Sequence, residues 1–205
     1  KVGDLSYEND HYRVLINPDA TVASLITCKG GRELIESGNG FGNTLKAFSA
    51  EDTSLHFSAT GEPEISTGSV AQVFRVVGAV GSAKVQQTIM LYHHLPRIDF
   101  ILTFDFEDTV FGNYWQDESK LNVYWPIAPR EKIDHDIPFG VIPGRQERSF
   151  FATSWVRLGS TKTGLAFFHR GTNRFWVRRN VLANVLACGV IGRDIGTRAW
   201  PELYV

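Results

Sequence analysis

Apolar and polar side chains alternate along one stretch of the chain, from residue 98 to residue 107. The apolar positions all share one parity and are Ile98, Phe100, Leu102, Phe104 and Phe106. Because successive side chains of a strand point to opposite faces, this pattern predicts a half-buried β-strand. A shift of one residue would bury the carboxylates of Asp99, Asp105 and Glu107, so we expect these acids to point away from the core.

Short apolar or alternating runs recur along the chain between turn-forming residues, which is typical of β-strands. They occupy residues 11–17, 21–27, 70–80, 84–92, 97–107, 120–127, 154–160 and 163–169. Pro18 and Asp19 predict a hairpin turn after the first run, and Gly81 predicts a second tight connection. No window of a dozen residues carries a sustained helical stripe; the nearest short candidates are 43–48 and 179–186. The pattern therefore predicts an all-β fold, an antiparallel β-sandwich, with a barrel as the alternative.

Residues 126–149 are the longest segment without a recognised strand pattern, and they contain four of the eight prolines. We interpret this segment as an irregular loop. In a compact domain a loop of that length is usually functional or disordered.

The composition of the 205 residues, with 43% hydrophobic side chains and a net charge of −1, is that of a globular protein with a sizeable core. The near-neutral charge excludes a broad basic surface, so we expect no nucleic-acid partner and no membrane partner. No apolar run reaches the ~18–20 residues of a membrane-spanning helix, and residues 1–10 lack the features of a signal peptide. We expect residues 1–205 to form one soluble β-sandwich domain. Since the chain does not begin with Met, we expect it to be a piece of a larger multidomain protein.

Two cysteines, Cys28 and Cys188, are far apart and show no CxxC spacing, which disfavours a zinc ribbon or a thioredoxin-like centre. We expect two buried free thiols, with a long-range disulfide as the alternative. The pair leaves the cellular compartment open.

One pair of acids and one pair of histidines, on or beside the predicted strands, are candidates for a catalytic role. Asp105 and Glu107 are two residues apart, which separates their Cα atoms by about 6.6–7 Å and suits an inverting glycosidase, but every such pair on a strand meets this condition. We therefore favour a solvated or interdomain face. His93 and His94 are adjacent, so on a strand they cannot bind one metal together, and one of them at most could serve as a general base.

A third cluster, Asp134-His135-Asp136, lies in the long segment and offers oxygen ligands around an imidazole. It could hold a divalent ion or contact a sugar, but turn-forming acids in a solvated loop are the favoured interpretation. The aromatic residues that could form a sugar platform, or more simply core and interface anchors, are Tyr114, Trp115, Tyr124, Trp125, Trp155 and Trp176. We interpret the basic group Arg174, Arg178 and Arg179 as a salt-bridged surface.

Taken in order, several segments resemble the β-sandwich region that follows the catalytic domain in glycoside hydrolase family 38, the α-mannosidases. They are ENDHYRVLINPDATVASLITCKGGRELIE, LYHHLPRIDFILTFDFED, KLNVYWPI, IPFGVIPGR and ATSWVRLGSTKTGLAFFHRG. Each motif is short, and their order along most of the chain carries the resemblance. One departure is VLACG at 185–189, where related sequences often have an arginine. This difference puts in doubt any sugar contact from that strand.

The resemblance implies a galactose mutarotase-like supersandwich. It also implies that the nucleophile and the zinc ligands lie in a separate N-terminal catalytic domain, so we expect no catalytic residue, metal site or cofactor in this chain. The implied partners are that catalytic domain and a carbohydrate substrate. We expect a non-catalytic domain of an α-mannosidase-like glycosidase, with a free-standing mutarotase-like enzyme, an aldose 1-epimerase, or a carbohydrate-binding module as the alternative. The candidate substrate contacts are His135 and Asp136 as hydroxyl partners and Arg145 as a donor.

Overall fold

A computed structural model describes residues 5–36, 38–49, 53–106, 111, 120–127, 132–143, 148–159 and 164–187. These residues form β-strands without a helix, and the described part of the chain accordingly offers no helix able to span a membrane. The strands are β1 Leu5–Glu8, β2 Tyr12–Ile16, β3 Val22–Thr27, β4 Thr44–Phe48, β5 Ser54–Ala59, β6 Glu64–Thr67, β7 Ala71–Val80, β8 Ala83–Tyr92, β9 Ile98–Asp105, β10 Leu121–Pro126, β11 Lys132–Ile137, β12 Gly140–Pro143, β13 Arg148–Phe151, β14 Trp155–Gly159, β15 Gly164–Phe168, β16 Arg174–Arg178 and β17 Val181–Ala187.

The strands form three antiparallel sheets. A three-stranded sheet has the order β1-β2-β3, and a four-stranded sheet has the order β12-β11-β14-β15. The ten-stranded sheet follows the order β13-β16-β17-β10-β4-β5-β7-β8-β9, with β6 paired to β7. One hydrophobic core draws side chains from all three sheets, including Val14, Val85, Val156 and Leu182. The predicted all-β, antiparallel sandwich is confirmed.

Strand β9 has the orientation that its alternating pattern predicts. Leu102 is 2% exposed and Phe104 is fully buried, whereas Asp105 is exposed. Burial of each large apolar side chain contributes about 1.5–3 kcal/mol, as an upper bound. This inward row fixes the register of β9 against β8, in which Phe104 is opposite Val85.

The predicted turns also form. In the β2–β3 connection the backbone N–H of Ala20 donates to the carbonyl of Asn17, and the Asp19 carboxylate accepts the N–H of Thr21 at 3.0 Å. Gly81 joins β7 to β8 with a φ of 61°, a conformation that glycine adopts without steric cost.

Two expectations, on the long segment and on Cys28, are corrected. The long segment 126–149 is not one irregular loop, because its described residues include β11 and β12, which pair as a hairpin. Its period-two pattern is hidden because the inward position between Ile133 and Ile137 is a histidine. The two short helix candidates are β4 and part of β17. Cys28 is a free thiol on the surface and not in the core, and Cys188 lies outside the described residues.

Candidate functional site

Strand β11 carries the sequence-predicted site residues and lies between β12 and β14 in the four-stranded sheet. His135 is opposite Val156 of β14 and faces the core, where its ring is 3% exposed. Asp134 and Asp136 therefore lie on the other face of this sheet. The remaining candidate, Arg145, lies outside the described residues.

The Asp136 carboxylate closes the turn that precedes β14. One oxygen, Oδ1, accepts the backbone N–H groups of Thr153, Ser154 and Trp155 at 2.9, 2.9 and 3.0 Å. The other, Oδ2, accepts the hydroxyl of Ser154 at 2.5 Å. Partial burial raises the pKa of this carboxyl, but the four hydrogen bonds outweigh it and hold the pKa at about 2. Asp136 is therefore ionised at neutral pH, and both of its oxygens bind the turn before β14.

The Asp134 carboxylate is buried at 4% exposure and forms two ion pairs. Its partners are the Arg157 guanidinium on β14 and the Lys132 ammonium, the latter at 3.3 Å. Desolvation raises the pKa of Asp134, but these two cations lower it by more, so the net direction is downward. The pairs compensate the cost of burying this charge.

His135 packs its ring against Phe150, with 4.5 Å between ring centroids. Its Nδ1 atom is buried and finds no hydrogen-bond partner within the part of the chain that the structure describes. His169 repeats the arrangement against Phe175 at 4.9 Å, and its Nε2 likewise lacks a partner among the described residues. Burial lowers the pKa of both histidines, against the opposing effect of Asp136. Both rings are therefore neutral at pH 7.

Direct contact of these candidates with a sugar stays a prediction. The described geometry leaves the His135 ring within the core and engages both Asp136 oxygens in hydrogen bonds to the protein. A sugar hydroxyl would have to displace one of these hydrogen bonds or open the packing on Phe150.

A second histidine and acid cluster connects the small three-stranded sheet to the β8–β9 connection. The Nε2 atom of His93 lies 2.9 Å from the Gly68 carbonyl, and its Nδ1 lies 2.9 Å from the Tyr7 hydroxyl. A carbonyl only accepts hydrogen bonds, so Nε2 carries the proton and, in the neutral ring, Nδ1 accepts from Tyr7. Both ring nitrogens of His93 are thus used in holding β1 and the β6–β7 turn together.

Arg97 and Asp99 extend this cluster. The Arg97 guanidinium donates to both oxygens of Asp99 at 2.6 and 2.8 Å, and the Tyr92 hydroxyl donates to the same carboxylate at 2.9 Å. The carbonyl of Arg97 accepts the hydroxyl of Tyr12 from β2 at 3.1 Å. Desolvation raises the pKa of Asp99, but the hydrogen bonds from Arg97 and Tyr92 give a net lowering.

Of the predicted acid pair Asp105 and Glu107, the structure describes only Asp105. Asp105 is exposed beside a shallow groove of about 360 Å³ that is also lined by Val77, Lys84 and Thr103, and Glu107 lies outside the described residues. A paired role for the two carboxylates stays a prediction.

The family-model comparison gives a match to the glycosyl hydrolases family 38 C-terminal domain over residues 7–173. The chain belongs to this family. The predicted family 38 C-terminal domain is thereby confirmed. No curated protein sequence matches the chain.

The family 38 domain is also similar in structure to an α-mannosidase from Enterococcus faecalis V583. The two share 12% sequence identity and a TM-score of 0.65, and the match covers 90% of this chain and 26% of the α-mannosidase chain. At this identity the likeness shows the fold. The chain thus spans about a quarter of the length of that protein.

In this family 38 domain the aromatic candidates that the structure describes are mostly packing residues. Trp125 and Trp176 are buried, and Tyr124 packs edge-on against Trp176 at 5.5 Å. Tyr114 and Trp115 lie outside the described residues. Among the residues that the structure describes, no three His, Cys, Asp or Glu side chains are grouped to hold a metal ion. The expectation that zinc belongs to a separate domain stays a prediction.

Sequence reasoning missed two features of the β11 region. One is His169, whose place opposite Phe175 depends on contacts that no local pattern records. The other is the turn of residues 153–155, whose three N–H groups bind Asp136. The Thr153-Ser154 pair after Phe151 is a weak local signal for such a turn.

Proposed function

We propose that this chain is the non-catalytic β-sandwich domain of a family 38 glycosidase that hydrolyses α-linked sugars. The observation that carries the proposal is the family-model match over residues 7–173. In this proposal the nucleophile and the zinc belong to a catalytic domain of the same polypeptide. The domain supports that catalytic domain by packing against it.

The contacts of the histidine and acid clusters support this proposal. His93 uses both ring nitrogens between Tyr7 and Gly68, and Asp136 uses both oxygens in the turn before β14. A general base needs a free lone pair within hydrogen-bond reach of its substrate. Residues that hold sheets and turns together in this way fit a supporting domain.

The proposal retains a secondary role at the sugar site. His135, Asp136 and Arg145 are its candidate substrate contacts, and they belong to the β11–β12 hairpin and the segment that follows it. A loop from this region would reach a sugar bound mainly by the catalytic domain.

The test compares the purified chain with the complete polypeptide that its gene encodes. With 4-nitrophenyl α-mannoside as substrate, we expect release of nitrophenol from the complete polypeptide and none from the chain alone. Polarimetry of freshly dissolved glucose and galactose should show no acceleration of mutarotation by the chain. Acceleration that disappears in His93→Phe or His135→Phe would identify a mutarotase and overturn the proposal.

A further inference from the structure

We propose that the outer face of the four-stranded sheet is the surface on which the catalytic domain of the family 38 polypeptide packs. We define the outer face by Val141, Trp155 and Phe168, with Phe139 at the adjacent turn. This inference rests on the proposed function and adds to it the place of contact.

Strand register puts these side chains on one face. Val141 is opposite Asp136, and Trp155 is opposite Phe168. Asp136 binds the backbone N–H of Trp155 at 3.0 Å, so the two pairs form one row across the sheet. A neighbouring row on the same face consists of Pro143, Asp134, Arg157 and Ala166.

The two faces of this sheet differ sharply in burial. On the inner face Val156 and Leu158 are buried in the core at 0% and 1% exposure. On the outer face Val141 is 58% and Phe168 is 79% exposed. Within the described part of the chain, three of the ten exposed large hydrophobic residues belong to the outer face and its hairpin turn: Phe139, Val141 and Phe168. Apolar exposure concentrated in one place marks an interaction surface.

The hairpin turn presents its aromatic residue at a conformational cost. Phe139 has a φ of 70° and is fully exposed. A bulky residue in the left-handed region is uncommon and strained. Among the described residues, none covers the fully exposed Phe139 side chain to offset this strain. Contact of the Phe139 ring with another domain would compensate this cost.

Both carboxylates of the outer face already have partners within this domain. Asp134 pairs with Arg157 and Lys132, and Asp136 accepts four hydrogen bonds from the turn before β14. Among the described residues of this face, the positive charges of Lys132 and Arg157 balance the negative charges of Asp134 and Asp136. Covering it with protein therefore leaves neither carboxylate without a partner.

The occupant follows from the family architecture. The fold matches 90% of this chain but only 26% of the α-mannosidase, so most of a family 38 polypeptide lies outside this domain. A domain of the same polypeptide needs a contact surface on it, and interdomain surfaces combine apolar side chains with paired polar groups. The outer face has both.

Hydrogen–deuterium exchange in the complete polypeptide and in the separate chain tests the inference. We expect the amides of β12, the Phe139 turn and β15, which are edge elements of the sheet, to exchange at least about tenfold more slowly in the complete polypeptide. The backbone of β6, another exposed strand, serves as the internal reference and should exchange equally in both.

Charge substitution gives a second readout. The double variant Val141→Glu, Phe168→Glu should abolish the difference in exchange, whereas Val77→Glu on the ten-stranded sheet, where Val77 is 49% exposed, should preserve it. Thermal unfolding of the isolated double variant near that of the unchanged chain would show that the fold is intact. If the double variant does not fold, the single variant Phe139→Ser replaces it. Because the Phe139 side chain is exposed, its removal should weaken the contact with the catalytic domain without disturbing the fold.

The outcomes separate the two proposals. Protection on other surfaces but not on the outer face would overturn the inference and leave the proposed function standing. Absence of protection on every surface, or a gene that encodes no catalytic domain before this chain, would overturn both. Concentration-dependent dimers of the isolated chain that protect the outer face would assign it to a second copy and overturn the inference.

Discussion

Two histidine and acid clusters, one at the β8–β9 connection and one on β11, look equally suited to chemistry in the sequence but differ in their partners. His93 lies at a partly exposed junction and uses both ring nitrogens, with partners 86 and 25 residues away in the sequence. His135 lies in the core against Phe150, and its Nδ1 lacks a partner among the described residues. The first histidine is held by hydrogen bonds and the second by packing.

The carboxylates of the two clusters also differ in the groups that bind them. Asp99 is engaged by the side chains of Arg97 and Tyr92, whereas Asp136 binds mainly backbone N–H groups of one turn. Residue type alone therefore does not identify the partner of a polar side chain. Partners decide whether a polar group is available to a substrate.

The largest effect is expected from removal of the carboxylate that holds the turn before β14. Asp136→Ala should lower the free energy of unfolding by about 2–3 kcal/mol, because it removes four charge-assisted hydrogen bonds at a partly exposed site. Asp136→Asn should cost less, since its amide oxygen still accepts from the backbone. Urea denaturation measures both, with Asp10→Ala at an exposed position as the control. Equal stability of Asp136→Ala and the control would contradict the structural role.

The Arg97–Asp99 pair should contribute less, because the Asp99 carboxylate accepts three hydrogen bonds whereas the Asp136 carboxylate accepts four. Asp99→Ala should lower the free energy of unfolding by about 1–2 kcal/mol. In a double-mutant cycle with Arg97→Ala we expect a coupling energy of about 1 kcal/mol between the two side chains. Additive losses would mean that the two side chains act independently and that the short contacts between them do not stabilise the fold.

Replacement of each histidine by phenylalanine compares the clusters directly. His93→Phe should lower the free energy of unfolding by about 1–2 kcal/mol, since it leaves the Tyr7 hydroxyl and the Gly68 carbonyl without their partner. His135→Phe keeps the aromatic packing on Phe150 and removes a buried Nδ1 atom that has no partner among the described residues, so the change should stay within about 0.5 kcal/mol. The opposite order in denaturant melts would show that His135 has a hydrogen-bonding role and His93 does not.

The smallest expected effect is a pH dependence from His135 and His169. Burial lowers the pKa of both in the folded state, so below pH ~6.5 the unfolded chain binds more protons than the folded chain. Their contribution is therefore complete above this pH and is lost as the pH falls through it. His135→Phe should flatten the stability profile between pH 7 and pH 5 relative to that of the unchanged chain. Identical profiles for the variant and the unchanged chain would contradict the burial of His135.

Much of the fold is encoded locally. The alternation from Ile98 to Phe106 fixes both the existence of β9 and its inward face. The β11–β12 hairpin is hidden because a histidine occupies an inward position and a carboxylate an outward, buried one, so residue type and burial disagree at His135 and Asp134. Such positions are set by tertiary packing, which no local period records.

The candidate site could be predicted only as a list of residue types. Asp134-His135-Asp136 stands out in the sequence, but its partners Arg157 and Phe150 come from other strands and its partner Ser154 comes from the turn before β14. The strained turn at Phe139 also escapes local reasoning, because a φ above zero is expected for glycine and not for phenylalanine.

His93 and His135 are structural groups, one through its hydrogen bonds and the other through burial. A histidine-resolved nitrogen-15 NMR titration of the chain with and without mannose tests this assignment. We predict an Nε2-protonated tautomer for His93, a His135 pKa below 6.5, and no shift of either ring on addition of the sugar. A His135 pKa above 6.5, or a saturable shift of its ring nitrogens with mannose, would contradict the account.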